Sequence, residues 1–197
     1  MMERIEEALL GLLSDPSSAV REAASSSLDR VRARRSVESF LKTLREGSLE
    51  ERVRVVFAAE EIGGPEGTSL LLAALNDPEA EVRGAGARAL ASFPTVPVLK
   101  ALIERLPMER GVVLGNLLEA LGASRRKELG PIVARYLGHS EAEVAAKAVE
   151  AYALVAEKDG WEKILQQARS ESEAVRAAAA RALSEWSGGQ VPPLDRP

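Results

Sequence analysis

The chain has 197 residues, a formal net charge of −4 and no cysteine, and it is 46% hydrophobic but only 4% aromatic. Its apolar content is therefore mostly alanine, leucine and valine, which suits close-packed helices better than a sandwich or a barrel, and the length allows one continuous core. The missing thiols exclude disulfides and thiolate metal sites and fit a reducing, cytoplasmic setting. The acidic balance argues against a dedicated nucleic-acid binder.

In chain order, the opening MMERIEEALLGLL carries Glu3, Glu6 and Glu7 where a secretory leader would carry positive charge. A first helix is predicted over Ile5–Leu13, with a polar outer face. Asp15-Pro16 reads as an N-cap followed by proline at the first helical position, opening a second helix around Val20. RVRARR, Arg30 to Arg35, predicts a solvated connection between helices, or alternatively a phosphate- or acid-binding segment. A helix over Val37–Leu44 follows. Ser48 and Glu51 have capping-box spacing and open a helix around Val53 that stops at Gly63-Gly64. Further helices are predicted over Thr68–Leu75, from Asp77-Pro78 through Phe93, over Val96–Leu106, around Val113, over Glu128–Leu137, from Ser140/Glu143, over Trp161–Arg169 and from Ser170/Glu173. Trp161 and Trp186 are expected to anchor the last helix pair, and SGGQVPPLDRP, from Ser187, to form a flexible end. The longest apolar run, Leu70 to Leu75, is too short to span a bilayer, so no membrane partner is expected.

Val82, Val113, Val144 and Val175 lie 31 residues apart. Seven residues after each come Ala89, Ala120, Ala151 and Ala182, and one further on Leu90, Leu121, Tyr152 and Leu183. Within each copy the apolar positions form one stripe at the helical period. Val20 anchors an earlier copy, and another surrounds Val53. A helical hairpin cannot bury its apolar face alone, so hairpins of this kind stack. The predicted repeats are 1–33, 34–64, 65–93, 94–124, 125–157 and 158–186, with a tail over 187–197.

DPEAEVRGAGARAL and DPSSAVREAASSSL resemble HEAT repeats, in particular the short HEAT-like repeats named after phycobilisome lyases, over about residues 1–186. The resemblance implies an all-α fold, a right-handed α-solenoid of about six hairpins. It also implies a ladder between neighbouring repeats built on the Asp column (Asp15, Asp77) and the Arg column (Arg21, Arg54, Arg83, Arg176). Leu114 and Ala145 interrupt the Arg column.

No catalytic, cofactor or metal residues are assigned: no nucleophile–base pair, ligand set or phosphate loop is visible. His139, the only histidine, occupies the Asp column and reads as a loop residue near a cap. HEAT-like iron hydroxylases use repeated His-Glu pairs, whereas here Ser140 follows His139. The family also includes bilin lyases, and a lyase or chaperone-type enzyme is the alternative function; a nucleic-acid-binding HEAT-like protein is the third. The leading expectation is a non-enzymatic scaffold binding a protein partner on a concave face. Positions Val+2 and Val+5 (Gly84, Ala87, Gly115, Leu118, Ala146, Val149, Ala177, Ala180) are predicted to form a smooth exposed floor. Position Val+6 supplies the charged row Arg88, Glu119, Glu150 and Arg181, and shifting the second copy by one residue adds Glu60. The expected partner-binding set is thus Glu60, Arg88, Leu118, Glu119, Val149, Glu150 and Arg181.

Overall fold

A chain whose apolar residues recur at the helical period can only bury its stripes helix against helix. A computed structural model of the protein describes residues 2–185; Trp186 and the tail from Ser187 lie outside the described residues. The helices are α1 (Met2–Leu12), α2 (Ser18–Glu46), α3 (Leu49–Ile62), α4 (Gly64–Ala74), α5 (Ala80–Leu90), α6 (Val96–Arg105), α7 (Gly111–Ala123), α8 (Gly130–Ala134), α9 (Ala142–Val155), α10 (Trp161–Gln167) and α11 (Glu173–Ser184). Short 3-10 turns over Leu106–Met108 and Lys127–Leu129 lead into α7 and α8. No strand occurs among the described residues. The chain divides into two compact units, residues 1–73 and 74–197.

In the first unit α1 packs on α2, and α2 on α3. α2 runs unbroken for 29 residues, so Arg30–Arg35 is helix interior and not the predicted connection. Nothing between Ser18 and Glu46 is a glycine or proline, and arginine is a good helix former. Arg30 donates to Ser26 Oγ at 2.9 Å and Ser36 Oγ to the Arg32 carbonyl at 3.1 Å, both one turn back. Gly47 ends the helix. The Ser48/Glu51 box then forms as predicted: the Ser48 N–H donates to Glu51 Oε2 at 2.8 Å, and Ser48 Oγ accepts the Glu51 N–H at 3.4 Å. Gly63 and Gly64 stop α3 with φ of 60° and 56°, a conformation that costs a residue with Cβ roughly 1–2 kcal/mol. The outer side of α1 is less polar than expected, since Ile5, Leu10 and Leu12 are all more than 40% exposed.

In the second unit α5, α7, α9 and α11 pack one on the next, and α6, α8 and α10 each lie against the hairpin partner that follows. The predicted columns are the core. Val82, Val113, Val144 and Val175, the four alanines seven residues on, and Leu90, Leu121 and Tyr152 are all buried. Burying a leucine or valine fully contributes about 1.5–3 kcal/mol. α7 and α9 approach so closely that a Cβ built on Gly122 would lie 2.7 Å from the Ala151 Cα. This tight crossing is what the small residues of the stripe permit.

Two expectations fail here. The Val+2/Val+5 floor is not exposed. Leu118 and Val149 have no accessible surface, and Gly84, Ala87, Gly115 and Ala146 are buried too. The Val+2 row faces the next helix in the stack: the Gly84 site lies against Val113 and Asn116, and the Gly115 site against Lys147. Only on α11 are Ala177 and Ala180 exposed. Leu118 and Val149 are therefore core residues and leave the candidate surface.

The helix starts differ from prediction as well. Outside the Ser48 box, three helices begin two residues later than predicted, with Ser17, Glu79 and Ser172 as N-caps, and α9 one residue later, with Glu141. The predicted caps Asp15, Asp77 and Ser170, and His139 beside the predicted cap Ser140, close a turn ahead of the helix. Asp15 Oδ1 accepts the Ser17 N–H and Asp77 Oδ1 the Glu79 N–H, each at 2.8 Å. His139 Nδ1 accepts the Glu141 N–H at 3.1 Å and Ser170 Oγ the Ser172 N–H at 3.2 Å. Proline after the aspartates, and a local side-chain acceptor throughout, favour this turn over an immediate helix.

Candidate partner-binding surface

At Arg21, Arg83 and Arg176 the Arg column acts inside its own repeat. Arg21 Nη1 donates to the carbonyls of Asp15 and Pro16, Arg83 Nη1 to those of Asp77 and Pro78, and Arg176 Nη1 to those of Ser170 and Glu171, all between 2.7 and 3.0 Å. Arginine thus clamps the turn of its own hairpin. The bond between neighbouring repeats runs from Arg83 to Glu109, two parallel hydrogen bonds of 2.8 and 3.1 Å, a fork that guanidinium and carboxylate geometry favours. Arg105 donates to the same carboxylate. Glu109 is only 6% exposed. Burial pushes its carboxyl up, but the hydrogen bonds and charges of Arg83 and Arg105 outweigh this and hold it below the usual carboxylate range. This cluster went unread in the sequence. Its one visible signal is the Arg105/Glu109 spacing of four residues.

The predicted Val+6 row lies on the faces of α5, α7, α9 and α11, where Arg88, Glu119 and Arg181 are exposed and Glu150 is partly so. Equivalent positions on successive packed helices lie roughly 10 Å apart. The row is linked by a residue the sequence reading missed. The aliphatic stem of Lys147 passes over the Gly115 position, and its ammonium reaches Glu119 at 3.0 Å and Glu150 at 3.6 Å. Arg181 closes on Glu150 at 2.6 Å. The hydrogen bond to Glu119 is the largest influence on Lys147 and holds its ammonium above the ordinary lysine range; partial burial opposes this, and the charges of Glu119 and Glu150 add to it. Glu119, Lys147, Glu150 and Arg181 therefore form one alternating chain of charge across three helices. Such a pattern presents direction and register to a partner.

Beside this chain lies a concavity of about 740 Å³, bounded by Glu150 and Arg181 together with Arg125, Lys127 and Lys158. Lys127 donates to the carbonyls of Ala156 at 2.7 Å and Leu154 at 3.3 Å, capping the C-terminus of α9. Arg125 holds the left-handed conformation, φ 53°. Glu60 is exposed on α3, within the first unit. Among the described residues no group of three or more His, Asp or Glu side chains comes together in a way that would hold a metal ion, and no helix is long and apolar enough to cross a membrane.

Stacked hairpins with a charged row on equivalent positions define a helical-repeat protein of the α-solenoid type. Residues 37–122 match the family described as HEAT repeats, and residues 5–31 match the family described as HEAT repeat. The chain is a HEAT-like repeat protein. No curated protein matches it. Among solved structures it is similar to human deoxyhypusine hydroxylase in complex with glycerol, with a TM-score of 0.60 and 21% identity over 83% of this chain and 67% of that one. It is also similar to an engineered protein, with a TM-score of 0.52 and 20% identity over 92% and 95% of the two chains. At these identities the likeness is one of fold.

Proposed function

We propose that the chain is a non-enzymatic scaffold that binds a protein partner along the row Arg88, Glu119, Glu150 and Arg181. The observation that supports this is a charged side chain at the repeated position of four successive helices, three of them linked through Lys147 into an alternating chain of charge, a pattern suited to an extended partner and unlike a single enclosed pocket. The surface in this reading is charged and connected, without Leu118 and Val149. The hydroxylase fold carries no catalytic residue over. His139 is the sole histidine of the sequence, and its Nδ1 is engaged as a turn acceptor.

The test compares proteins captured from the native host by the wild-type chain with those captured by Glu119→Lys/Glu150→Lys. Any protein lost by the variant is purified and titrated against both chains at low and higher salt. The expected result is weaker binding by the variant, with a salt dependence that the wild type shows more strongly. The variant should stay folded, because exposed ion pairs contribute only about 0–1 kcal/mol each. Equal affinity of the two chains for every captured protein would overturn this reading.

A further inference from the structure

Where α3 returns beside the unbroken α2, a groove of about 800 Å³ opens within the first unit. Val37 and Phe40 of α2 and Ala58 and Ile62 of α3 form its apolar lining. The spacings are three and four residues, so each pair forms one ridge, with the groove between the ridges. Val37, Phe40 and Ala58 are half-buried, and Ile62 is 45% exposed. Three carboxylates edge the groove, Asp29, Glu61 and Glu66. Among the described residues the cation on the same edge is Arg30, which is turned to Ser26 Oγ at 2.9 Å.

We propose that this groove is a second docking surface, and that it takes a basic amphipathic helix of a partner protein. Apolar side chains of that helix at i, i+3 or i+4 and i+7 would lie against Val37, Phe40, Ala58 and Ile62. Lysines or arginines flanking them would face Asp29, Glu61 and Glu66. Charge selects the occupant: the chain's own α1 also has an apolar side, but it carries Glu3, Glu6 and Glu7 against a single Arg4, so α1 of a second copy would bring like charge to the acidic edge. This surface lies apart in sequence from the charged row and does not depend on it.

The test uses the full chain and a fluorescent helical peptide of leucine and lysine, with leucines at those spacings, alongside the same peptide with glutamate for lysine. The wild type should bind the lysine peptide and not the glutamate one. Ile62→Ser, and separately Glu61→Lys/Glu66→Lys, should each weaken binding about tenfold or more, with helicity by circular dichroism unchanged. If Ile62→Ser loses helicity, the exposed-edge double variant decides alone. Equal binding of both peptides, or binding that neither variant weakens, overturns the proposal. So does a concentration-dependent dimer of the wild type that Ile62→Ser abolishes, since a second copy would then be the occupant.

Discussion

Glu109 shows how one carboxylate can tie three segments together. It joins the clamp at the start of α5, through Arg83, to Arg105 at the end of α6 and to the chain entering α7. Glu109→Ala leaves two guanidinium groups facing each other. Breaking a buried ion pair costs about 3–5 kcal/mol, and the lower end applies here because the side chains of Arg83 and Arg105 keep 17% and 21% exposure. Urea unfolding at neutral pH measures the loss. The pH dependence has a definite sign. The Glu109 pKa is lowered by folding, so its contribution is fully present above the unfolded value of about 4.3. That contribution is lost as pH falls below this value and through the depressed folded one, and in Glu109→Ala the component should be absent. Leu121 tests the packing: it has no exposed surface, and Leu121→Ala should cost about 2–5 kcal/mol by the same measurement. The two residues differ in legibility. Leu121 was fixed by its column, because burial follows helical period. Glu109 has no column, and its role arises only when Arg83, 26 residues away, is brought to it by packing.

Helix meets helix through glycine in two different ways. A Cβ at Gly122 would meet backbone of α9, the Ala151 Cα at 2.7 Å and its carbonyl oxygen at 3.2 Å. A helix backbone cannot give locally, so Gly122→Ala should force α7 and α9 apart and cost about 1–3 kcal/mol. At Gly84 the nearest atoms are side-chain atoms of Asn116 and Val113, at 3.5 and 3.6 Å. Gly84→Ala should therefore be tolerated and can gain up to roughly 1 kcal/mol from helix propensity. Thermal unfolding of both variants settles the contrast, which a purely compositional account of small residues does not predict. The same scale shows where the sequence misled. The stripe placed α5, α7, α9 and α11 correctly, because tertiary burial and period coincide there. The two Asp-Pro signals and Ser170/Glu173 placed their starts two residues early and Ser140/Glu143 one, because a turn with a side-chain acceptor competes with the cap for the same residue types. The four arginines over Arg30–Arg35 looked like a break on grounds of charge, yet charge alone does not end a helix that lacks glycine and proline.

Across the molecule, the helical repeat was readable from one sequence because its 31-residue spacing recurs at buried positions, which tolerate little change in size. The candidate surface was readable only in part. The Val+6 charges were found from spacing alone, while the floor beneath them was misassigned, since spacing does not say which of two flanks the next helix covers. Lys147 was missed because it stands at Val+3, where the other copies have Ala85, Asn116 and Ala178. The turn ahead of the second helices carries a broader consequence. Asp15, Asp77, His139 and Ser170 supply the same bond with a carboxylate, an imidazole and a hydroxyl. What each hairpin must spell at this point is a lone pair at the right reach, and several letters spell it. The repeat therefore has synonyms. Its copies can drift apart in wording while the chain keeps its meaning, so hairpins continue to Ser184, past residue 122 where the matched family span ends.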